Sequence, residues 1–262
     1  MRIALQNPKT SGVTVPDEID SAAISEKASR IFGSLRVVSV PIGHPDDITV
    51  RALQVLREAD LIIAETTRIA RNLLRHHGIE KPAHLVSLRP RRGLTAQDAM
   101  RAALSAGQTA ALLCDAGTPG IADPGSAFVR AALDLGAAVT ACPGPCAALV
   151  ALAASGLPAH RFVFEGFPPV APAQRAAFFQ EIAQESRTVI LYESAPRLRA
   201  TLTALCRVCI SPRPFVLACD LTKPTEQIWR GSLTELRSHC AVNTPRGEFV
   251  LLLGGLPQKT GA

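Results

Sequence analysis

The sequence predicts an α/β fold with two α/β domains, a mostly parallel sheet in the first and a mixed sheet in the second. In the first half of the chain, short apolar runs alternate with helical patterns of about 10 to 15 residues, which is typical of βαβ units. In the second half, the strand-like runs follow one another more closely. Three of the first-half runs end in turns rich in Gly and Pro, which we expect at the carboxyl edge of the parallel sheet.

The chain divides into three predicted parts. Residues 1–34 mix polar and charged residues with little apolar periodicity, although residues 22–32 could form a short helix. We expect this amino-terminal extension to be flexible. An amino-terminal α/β domain is predicted at residues 35–144 and a carboxyl-terminal α/β domain at residues 145–262, with Pro-Gly-Pro at residues 143–145 as a hinge.

Apolar runs and capping residues define the elements of the first domain. Its strands are predicted at residues 35–40, 61–64, 84–88, 110–114 and 137–142. The helices between them are predicted from residues typical of helix ends, namely Thr49, Thr66 or Thr67, Gly78, the Thr95–Asp98 capping box and Gly107. A further helix is predicted at residues 126–135.

The second domain is predicted to begin with a helix of small residues that follows the Pro-Gly-Pro hinge. Two longer helices are predicted at residues 173–184 and 196–208. Strands are predicted within the segments FVFEGF, TVILYES, PFVLACDL, EQIWRGSL and EFVLLLGG.

Composition limits the class of protein. Of the 262 residues, 47% are hydrophobic and 19% are charged, which favours a globular fold over disorder. No apolar run approaches the roughly 20 residues of a membrane span, and the amino terminus lacks the apolar core of a secretory signal, so we predict a cytoplasmic protein without membrane association. Seven Cys residues, an odd number in mostly apolar segments, indicate reduced thiols. Cys206 and Cys209 form a lone CxxC, and no metal site is predicted.

Positive charge is concentrated in one segment. The net charge is +6, and residues 68–92 contain seven Lys or Arg residues against one acidic residue, Glu80. This pattern predicts a basic face for a polyanionic partner, or alternatively a solvated helix surface. Aromatic residues make up only 4% of the chain and do not interleave with these cations, so base stacking on an aromatic platform is not expected.

Three turns at strand ends are the candidate ligand site. They read PIGHP, DAGTPGIADPG and PGPCA, and the second contains three Gly, two Pro and two Asp residues. The chain has neither the GxGxxG spacing of dinucleotide-binding proteins nor a phosphate-binding GxxxxGK[ST] loop. Exposed peptide groups beside small side chains suit a neutral or zwitterionic ligand, such as an adenosine-containing cofactor.

Several longer stretches together resemble a known family. They are LRVVSVPIGHPDDITVRALQVLREADLIIAETTR, DAGTPGIADPG, PGPCAALVALAASGLPAHRFVFEGF, RTVILYES and RGEFVLLL. On these motifs the chain is similar to the ribosomal RNA small subunit methyltransferase I family of the tetrapyrrole methylase superfamily. The resemblance implies two domains of tetrapyrrole methylase type, a homodimer, and S-adenosylmethionine bound in the cleft between the domains. It also implies 2′-O-methylation of a cytidine ribose in small-subunit ribosomal RNA.

The resemblance also implies a set of cofactor contacts. The implied residues are Pro41, Gly43, Asp115, Ala116, Gly117, Thr118, Ile121, Cys146, Ala147, Tyr192, Glu193 and Gly231. In this interpretation Pro41 and Gly43 face the donor methyl group, and Tyr192, Glu193 and Gly231 close the cleft from the second domain.

Three segments depart from the pattern of the family. The family usually reads PIGN and EDTR where this chain reads PIGH and ETTR, so His44 replaces an amide and Thr66 replaces a carboxylate. After the third strand, a segment of the family that contains His, Asn and Glu is replaced by SLRPRRG at residues 87–93.

A ribose hydroxyl is a poor nucleophile that benefits from a base within hydrogen-bond reach. The candidates are Glu65, which we prefer, and His44; Arg68 is predicted to bind the phosphate next to the target sugar. Alternatively, Glu65 forms a helix-cap salt bridge with Arg68, and His44 is a turn residue that bonds to the backbone. Further substrate contacts are predicted for Arg71, Arg89, Arg91 and Arg92.

Two other functions remain open at this point. The arginine-rich segment at residues 89–92 would also permit a methyltransferase that acts on a small molecule or peptide, preferably one rich in carboxylates. The third possibility is a non-catalytic paralogue that binds the cofactor or RNA without turnover.

Overall fold

The computed structural model describes residues 32–80, 84–88, 95–209, 213–242 and 246–256. Apart from Phe32 to Ser34, the predicted extension and its predicted helix lie outside the described residues. These three residues belong to the folded part, because Phe32 packs against the core and the Gly33 amide donates to the Leu104 carbonyl at 2.8 Å. The described residues form two five-stranded sheets with helices packed against them.

The strands of the first sheet are all parallel. The sheet contains β1 (Ser34–Val38), β2 (Leu61–Ala64), β3 (His84–Ser87), β4 (Thr109–Leu113) and β5 (Ala138–Cys142), in the order β3-β2-β4-β1-β5. All four residues of β2 are buried, as expected for a parallel sheet covered on both faces. The predicted parallel character of this sheet is confirmed.

Helices cover both faces of the first sheet. They are α1 (Val50–Glu58), α2 (Thr67–His76), α3 (Ala96–Ser105) and α4 (Ser126–Leu135), and a short 3-10 helix (Pro45–Asp47) precedes α1. Helices α1 and α2 pack on the face that carries Ile62 and Leu113. Helices α3 and α4 pack on the opposite face, which carries Ile63 and Leu112.

The predicted caps of these helices are largely present. Thr49 Oγ1 accepts a hydrogen bond from the Ala52 amide at 3.2 Å, and Thr95 and Asp98 form the predicted capping box. Thr66 is the N-cap residue of α2 by position, but its side chain makes no bond to the helix. Its hydroxyl instead donates to the carboxylate of Asp115, which links this helix to the turn after β4.

The second sheet is mixed, as predicted. It contains β6 (Phe162–Gly166), β7 (Thr188–Ser194), β8 (Pro214–Cys219), β9 (Gln227–Ser232) and β10 (Glu248–Leu253), in the order β6-β7-β10-β8-β9. Only β6 and β7 pair in parallel, and the other neighbours are antiparallel. Each sheet falls within one of the two predicted domains, and the domain division itself stays a prediction.

Four helices pack on the second sheet: α5 (Ala147–Ser155), α6 (Pro172–Gln184), α7 (Ala195–Val208) and α8 (Leu233–Val242). Helix α5 covers one face, where Leu152 meets Ile190, and the other three cover the opposite face. Helix α8 was not predicted, although a signal for it exists. Glu235 accepts hydrogen bonds from the Ser232 amide and hydroxyl, and the Glu235 amide donates back to that hydroxyl, as in a capping box.

None of the helices within the described ranges is both long enough and apolar enough to cross a bilayer.

Arg213 is a buried cation that joins three segments of the second half. Its guanidinium donates to the carbonyls of Gly254, Ile182 and Glu185 at 2.6, 3.0 and 2.9 Å. Burial lowers its pKa from the ordinary arginine value, which reflects the cost of desolvating the charge. The side chain therefore fixes the start of β8 against the end of α6 and the end of β10.

We expect Arg213→Met to lower the free energy of unfolding by about 2–4 kcal/mol, because the buried carbonyl of Gly254 and the end of α6 lose the charged donor that joins them. Urea denaturation followed by circular dichroism measures this change. Arg207→Met, on the exposed side of α7, is the matched control, with an expected change within about 0.5 kcal/mol. Equal stability of the two variants would contradict this structural role.

Candidate functional site

A cavity of about 440 Å³ lies between the carboxyl edge of the first sheet and the second sheet. The segments that follow the strands of the first sheet contribute Ile42, Glu65, residues 115–118, residues 121–123, Cys146 and Ala147. The rest of the lining, from later in the chain, is Phe167, Tyr192, Glu193, Ser194, Leu221 and residues 247–250. Its volume is within the range of small-molecule sites, and its place at a parallel-sheet edge is where such folds bind ligands.

The turn after β4 is fixed to the start of α2 by one carboxylate. Asp115 accepts a hydrogen bond from the Thr66 amide at 2.9 Å through Oδ1 and one from the Thr66 hydroxyl at 2.8 Å through Oδ2. A carboxylate at this position also faces the positive end of the helix dipole. Both oxygens of Asp115 are therefore held in place before any ligand arrives.

A pair of backbone hydrogen bonds ties the same turn to the segment after β1. Val40 and Gly117 exchange two bonds, at 2.8 and 3.1 Å, which form an isolated antiparallel bridge. Strand β1 thus ends at Val38, not at residue 40 as predicted, because Val40 pairs with the turn rather than with a strand. Gly117 adopts φ +76°, a conformation that favours glycine.

Thr118 joins the third turn to the other two. Its hydroxyl donates to the Pro145 carbonyl at 3.0 Å and lies 2.9 Å from the Ser39 hydroxyl. Because the single Thr118 proton is used by Pro145, Ser39 is the donor in the second bond. The three turns proposed from the sequence therefore meet at one edge and are bonded to one another.

Most of the implied cofactor residues line the cavity. They are Asp115, Ala116, Gly117, Thr118, Ile121, Cys146, Ala147, Tyr192 and Glu193. The structure brings these nine residues together from both halves of the chain, although it does not by itself test what they bind.

The structure places the remaining three outside the lining. Gly43 packs against the loop after β8, since a Cβ atom there would lie only 2.6 Å from the Leu221 carbonyl oxygen. Ile42, between Pro41 and Gly43, contributes the side chain that reaches the cavity. Gly231 is in β9 and lines a separate depression of about 130 Å³. The family motifs in the sequence identified these turns, but they did not show which residue of each turn faces the cavity.

Tyr192 closes one side of the cavity. Its hydroxyl accepts a hydrogen bond from the Ala148 amide at 3.1 Å, in the first turn of α5. Its ring packs edge-on against Phe164 and Phe167, with centroids 4.9 and 5.6 Å away. Burial raises the pKa of the phenol above its ordinary value, so the side chain stays neutral at physiological pH.

The carboxylate of Glu193 is fully buried and compensated by charge. It forms salt bridges with Arg175 at 3.4 Å and Arg197 at 3.5 Å, and accepts hydrogen bonds from the Thr201 hydroxyl and the Ser194 amide. The two arginines also donate to the carbonyls of Pro168 and Pro169. This network fixes the segment that follows β6, and Phe167 of that segment lines the cavity.

The candidate base Glu65 lines the cavity and is half-buried. With the described residues its carboxylate forms neither a hydrogen bond nor a salt bridge, and the alternative salt bridge with Arg68 is therefore not formed. Arg68 and Arg71 lie on the exposed side of α2, outside the lining. Arg89, Arg91 and Arg92 lie outside the described residues.

His44 occupies the alternative predicted for it, a turn residue bonded to the backbone. Its Nδ1 accepts a hydrogen bond from the Asp46 amide at 3.2 Å, and its own amide donates to the Thr222 hydroxyl at 2.9 Å. The side chain is exposed and does not line the cavity. This geometry favours Glu65 over His44 as the candidate base.

Asp123 is a cavity residue that the sequence analysis missed. It belongs to the same DAGTPGIADPG segment as Asp115 and lines the cavity beside Glu65. Its pKa is raised, first by burial and then by the negative charges of Glu65 and Asp115. The signal was a second Asp in a turn already proposed as a site.

The lining carries a clear electrostatic preference. Glu65, Asp115 and Asp123 contribute carboxylates, whereas no Lys or Arg in the described ranges lines the cavity. Glu193 and Glu248 also line it, but each pairs with cations that lie behind the cavity wall. The described lining therefore favours a ligand that carries positive charge.

Comparison with known proteins agrees with this architecture. The family described as Tetrapyrrole (Corrin/Porphyrin) Methylases matches residues 34–237. One solved structure with this fold is a cobalamin biosynthetic enzyme, cobalt precorrin-4 methyltransferase. Its TM-score is 0.62 at 19% identity, over 84% of this chain and 94% of that one. Another is Thermus thermophilus uroporphyrin-III C-methyltransferase complexed with S-adenosylhomocysteine, with a TM-score of 0.57 at 20% identity, over 84% of this chain and 97% of that one.

Two relatives with higher sequence identity than these structures carry the same name. Ribosomal RNA small subunit methyltransferase I from Synechocystis sp. is 44% identical over 224 residues, which is 86% of this chain and 80% of that protein. The protein of the same name from Pseudomonas aeruginosa is 44% identical over 225 residues, 85% of this chain and 79% of that protein. The chain belongs to the tetrapyrrole methylase family and, within it, to the ribosomal RNA small subunit methyltransferase I family.

Proposed function

We propose that this protein is an S-adenosylmethionine-dependent methyltransferase that methylates the ribose 2′-hydroxyl of a cytidine in small-subunit ribosomal RNA. The observation that carries the proposal is the carboxylate-lined cavity at the edge of the parallel sheet, in a chain 44% identical to proteins named for this RNA. One fold relative was solved with S-adenosylhomocysteine, the product form of the same cofactor.

The lining fits this cofactor chemically. S-adenosylmethionine carries a sulfonium, an ammonium and a carboxylate, so its net charge is positive. Glu65 and Asp123, whose carboxylates have no cationic partner among the described residues, supply the opposite charge. Residues 116–118 and the Cys146–Ala147 segment offer peptide groups and small side chains for the nucleoside, while Ile42 and Ile121 provide apolar contact. When bound, the cofactor would supply an activated methyl group, so the protein needs chiefly to align the acceptor and exclude water.

Glu65 is the proposed base. With the cofactor bound, its activated methyl group would pass to the ribose oxygen, and the Glu65 carboxylate would accept the proton of the hydroxyl. Glu65 suits this role because it faces the cavity and its carboxylate oxygens form no hydrogen bond or salt bridge with the described residues. Asp123 lies beside it, and burial together with the negative charge of Glu65 raises the pKa of Asp123.

The exposed side of α2 is the proposed RNA surface. Arg68, Arg71 and Arg75 are exposed there, on the helix that starts beside Glu65. Cations along such a helix would contact phosphates next to the target ribose. The predicted contacts Arg89, Arg91 and Arg92 would extend this surface. We further propose a homodimer and a cytoplasmic location, where ribosomal RNA is modified.

Gly117→Ala is expected to weaken S-adenosylmethionine binding at least tenfold, because φ +76° is strained for alanine and the bridge to Val40 would shift. Isothermal titration calorimetry measures the affinity. Gly78→Ala is the matched control, since Gly78 has φ +69° but open space around it and lies outside the lining. The free energy of unfolding should fall by a similar amount in both variants. Equal affinity of the two variants for S-adenosylmethionine would contradict the proposal that this turn binds the cofactor.

Glu65→Gln is expected to lower kcat by about 10²- to 10⁴-fold while S-adenosylmethionine affinity changes only a few-fold. Transfer of a labelled methyl group to small ribosomal subunits measures kcat. Asp134→Asn, an exposed carboxylate on α4, serves as control and should behave as wild type. A variant with full kcat would exclude Glu65 as the base.

Arg71→Ala is expected to reduce the slope of log affinity for small-subunit RNA against log salt by about one, because one phosphate contact is lost. Arg101→Ala, an exposed arginine on α3 at the other face of the sheet, should leave the slope unchanged. Wild-type binding that does not depend on salt would argue against RNA. Methyl transfer to a metabolite or peptide extract, but not to RNA, would support the small-molecule alternative.

A further inference from the structure

A cluster of two imidazoles and one carboxylate lies outside the cavity, where the 3-10 helix after β1 meets the end of α2. His76 is the last residue of α2, His77 is its C-cap, and Asp46 belongs to the 3-10 helix. One potential donor atom from each of the three residues lies within 4.8 Å of the others. Within the described residues this is the only group of three or more potential ligands, and the CxxC pair Cys206 and Cys209 is not part of one.

We propose that Asp46, His76 and His77 form a binding site for a divalent transition-metal ion of the zinc type. Two imidazole nitrogens with one carboxylate oxygen are a ligand set that zinc takes in proteins, with room for water at the fourth position. The proposal is independent of the methyltransferase function and differs from the expectation, drawn from cysteine spacing alone, that the chain has no metal site.

The distances suit coordination. His76 Nε2 lies 3.2 Å from Asp46 Oδ1. Two ligands on a tetrahedral zinc ion, with bonds of about 2.0–2.2 Å, lie roughly 3.3 Å apart. The pair is therefore already spaced as two ligands of one ion, and the His76 proton that now lies between them would leave when the ion binds.

His77 has the supporting hydrogen bond of a metal-binding histidine. Its Nε2 lies 3.0 Å from the Pro45 carbonyl oxygen. A carbonyl only accepts, so Nε2 is the protonated nitrogen and Nδ1 carries the lone pair. A ring nitrogen held by a backbone carbonyl is the usual arrangement behind a metal ligand, because it fixes both the tautomer and the ring orientation.

The position in the fold also favours a cation. The carbonyl end of α2 is the negative end of the helix dipole, and His76 and His77 lie in and just beyond its last turn. His44 fixes the 3-10 helix by accepting the Asp46 amide at its Nδ1. A bound ion would cross-link segments 30 residues apart and brace the loop that brings Ile42 to the cavity.

Zinc titration of the full, reduced chain by calorimetry tests the site, with cobalt(II) as a spectroscopic probe. We expect one ion per chain at this site, a cobalt spectrum without sulfur-to-metal charge transfer, and a melting temperature that rises with zinc and falls again with chelator. Asp46→Asn and His76→Ala should each weaken zinc binding at least about tenfold and remove the thermal shift.

His160→Ala, an exposed histidine outside the cluster, is the matched control and should bind zinc as wild type does. Three outcomes would overturn the proposal: no zinc uptake by the wild type, equal uptake by the Asp46 and His76 variants, or a cobalt spectrum dominated by thiolate ligation. All are read from folded protein without an activity assay, so they do not depend on the outcome of the methyl-transfer experiments.

Discussion

The contact on which the site depends is the pair of hydrogen bonds from Thr66 to the carboxylate of Asp115. It fixes the turn after β4 above the start of α2, so that Glu65, the residue before Thr66, faces the cavity beside that turn. Gly117 and Thr118 then attach the same turn to the segments after β1 and β5. The three loops are thereby bonded to one another at the edge of the first sheet, and the second sheet forms the other side of the cavity.

The carboxylates that line the cavity differ in whether a cation compensates their charge. Glu193 has two arginines and several hydrogen-bond donors, and removing any one of them would leave a buried charge without its partner. Glu65 and Asp123 have no cationic partner among the described residues, and the raised pKa of Asp123 records the cost. A cationic ligand would reduce the repulsion between the carboxylates of Glu65 and Asp123, so these charges would favour its binding.

Local rules in the sequence predicted most of the fold. Strands β2 and β7 and helix α4 occur at the predicted residues, since continuous apolar runs and caps depend on near neighbours. Long-range contacts were not predictable in this way. Gly43 lies outside the cavity lining because it packs against the Leu221 carbonyl, which is far along the chain. Val40 does not continue β1 because it pairs with Gly117. The start of β10 lies in the family motif RGEFVLLL, but no residue of that motif was predicted to contact the cofactor, although residues 247–250 line the cavity.

The difference between local and long-range contacts also explains why motif matching led to the cavity, whereas some of the implied residues lie outside its lining. A motif specifies a turn, whereas the ligand meets only those atoms of the turn that other segments leave free. Thr66 illustrates this: it stands at a helix start, where a threonine usually caps, yet its hydroxyl is bonded to Asp115. His44 likewise uses its ring to fix its own turn. A side chain near a site is available to a ligand only where the fold does not already use it. By that criterion Glu65 is a stronger proposal for the base than His44.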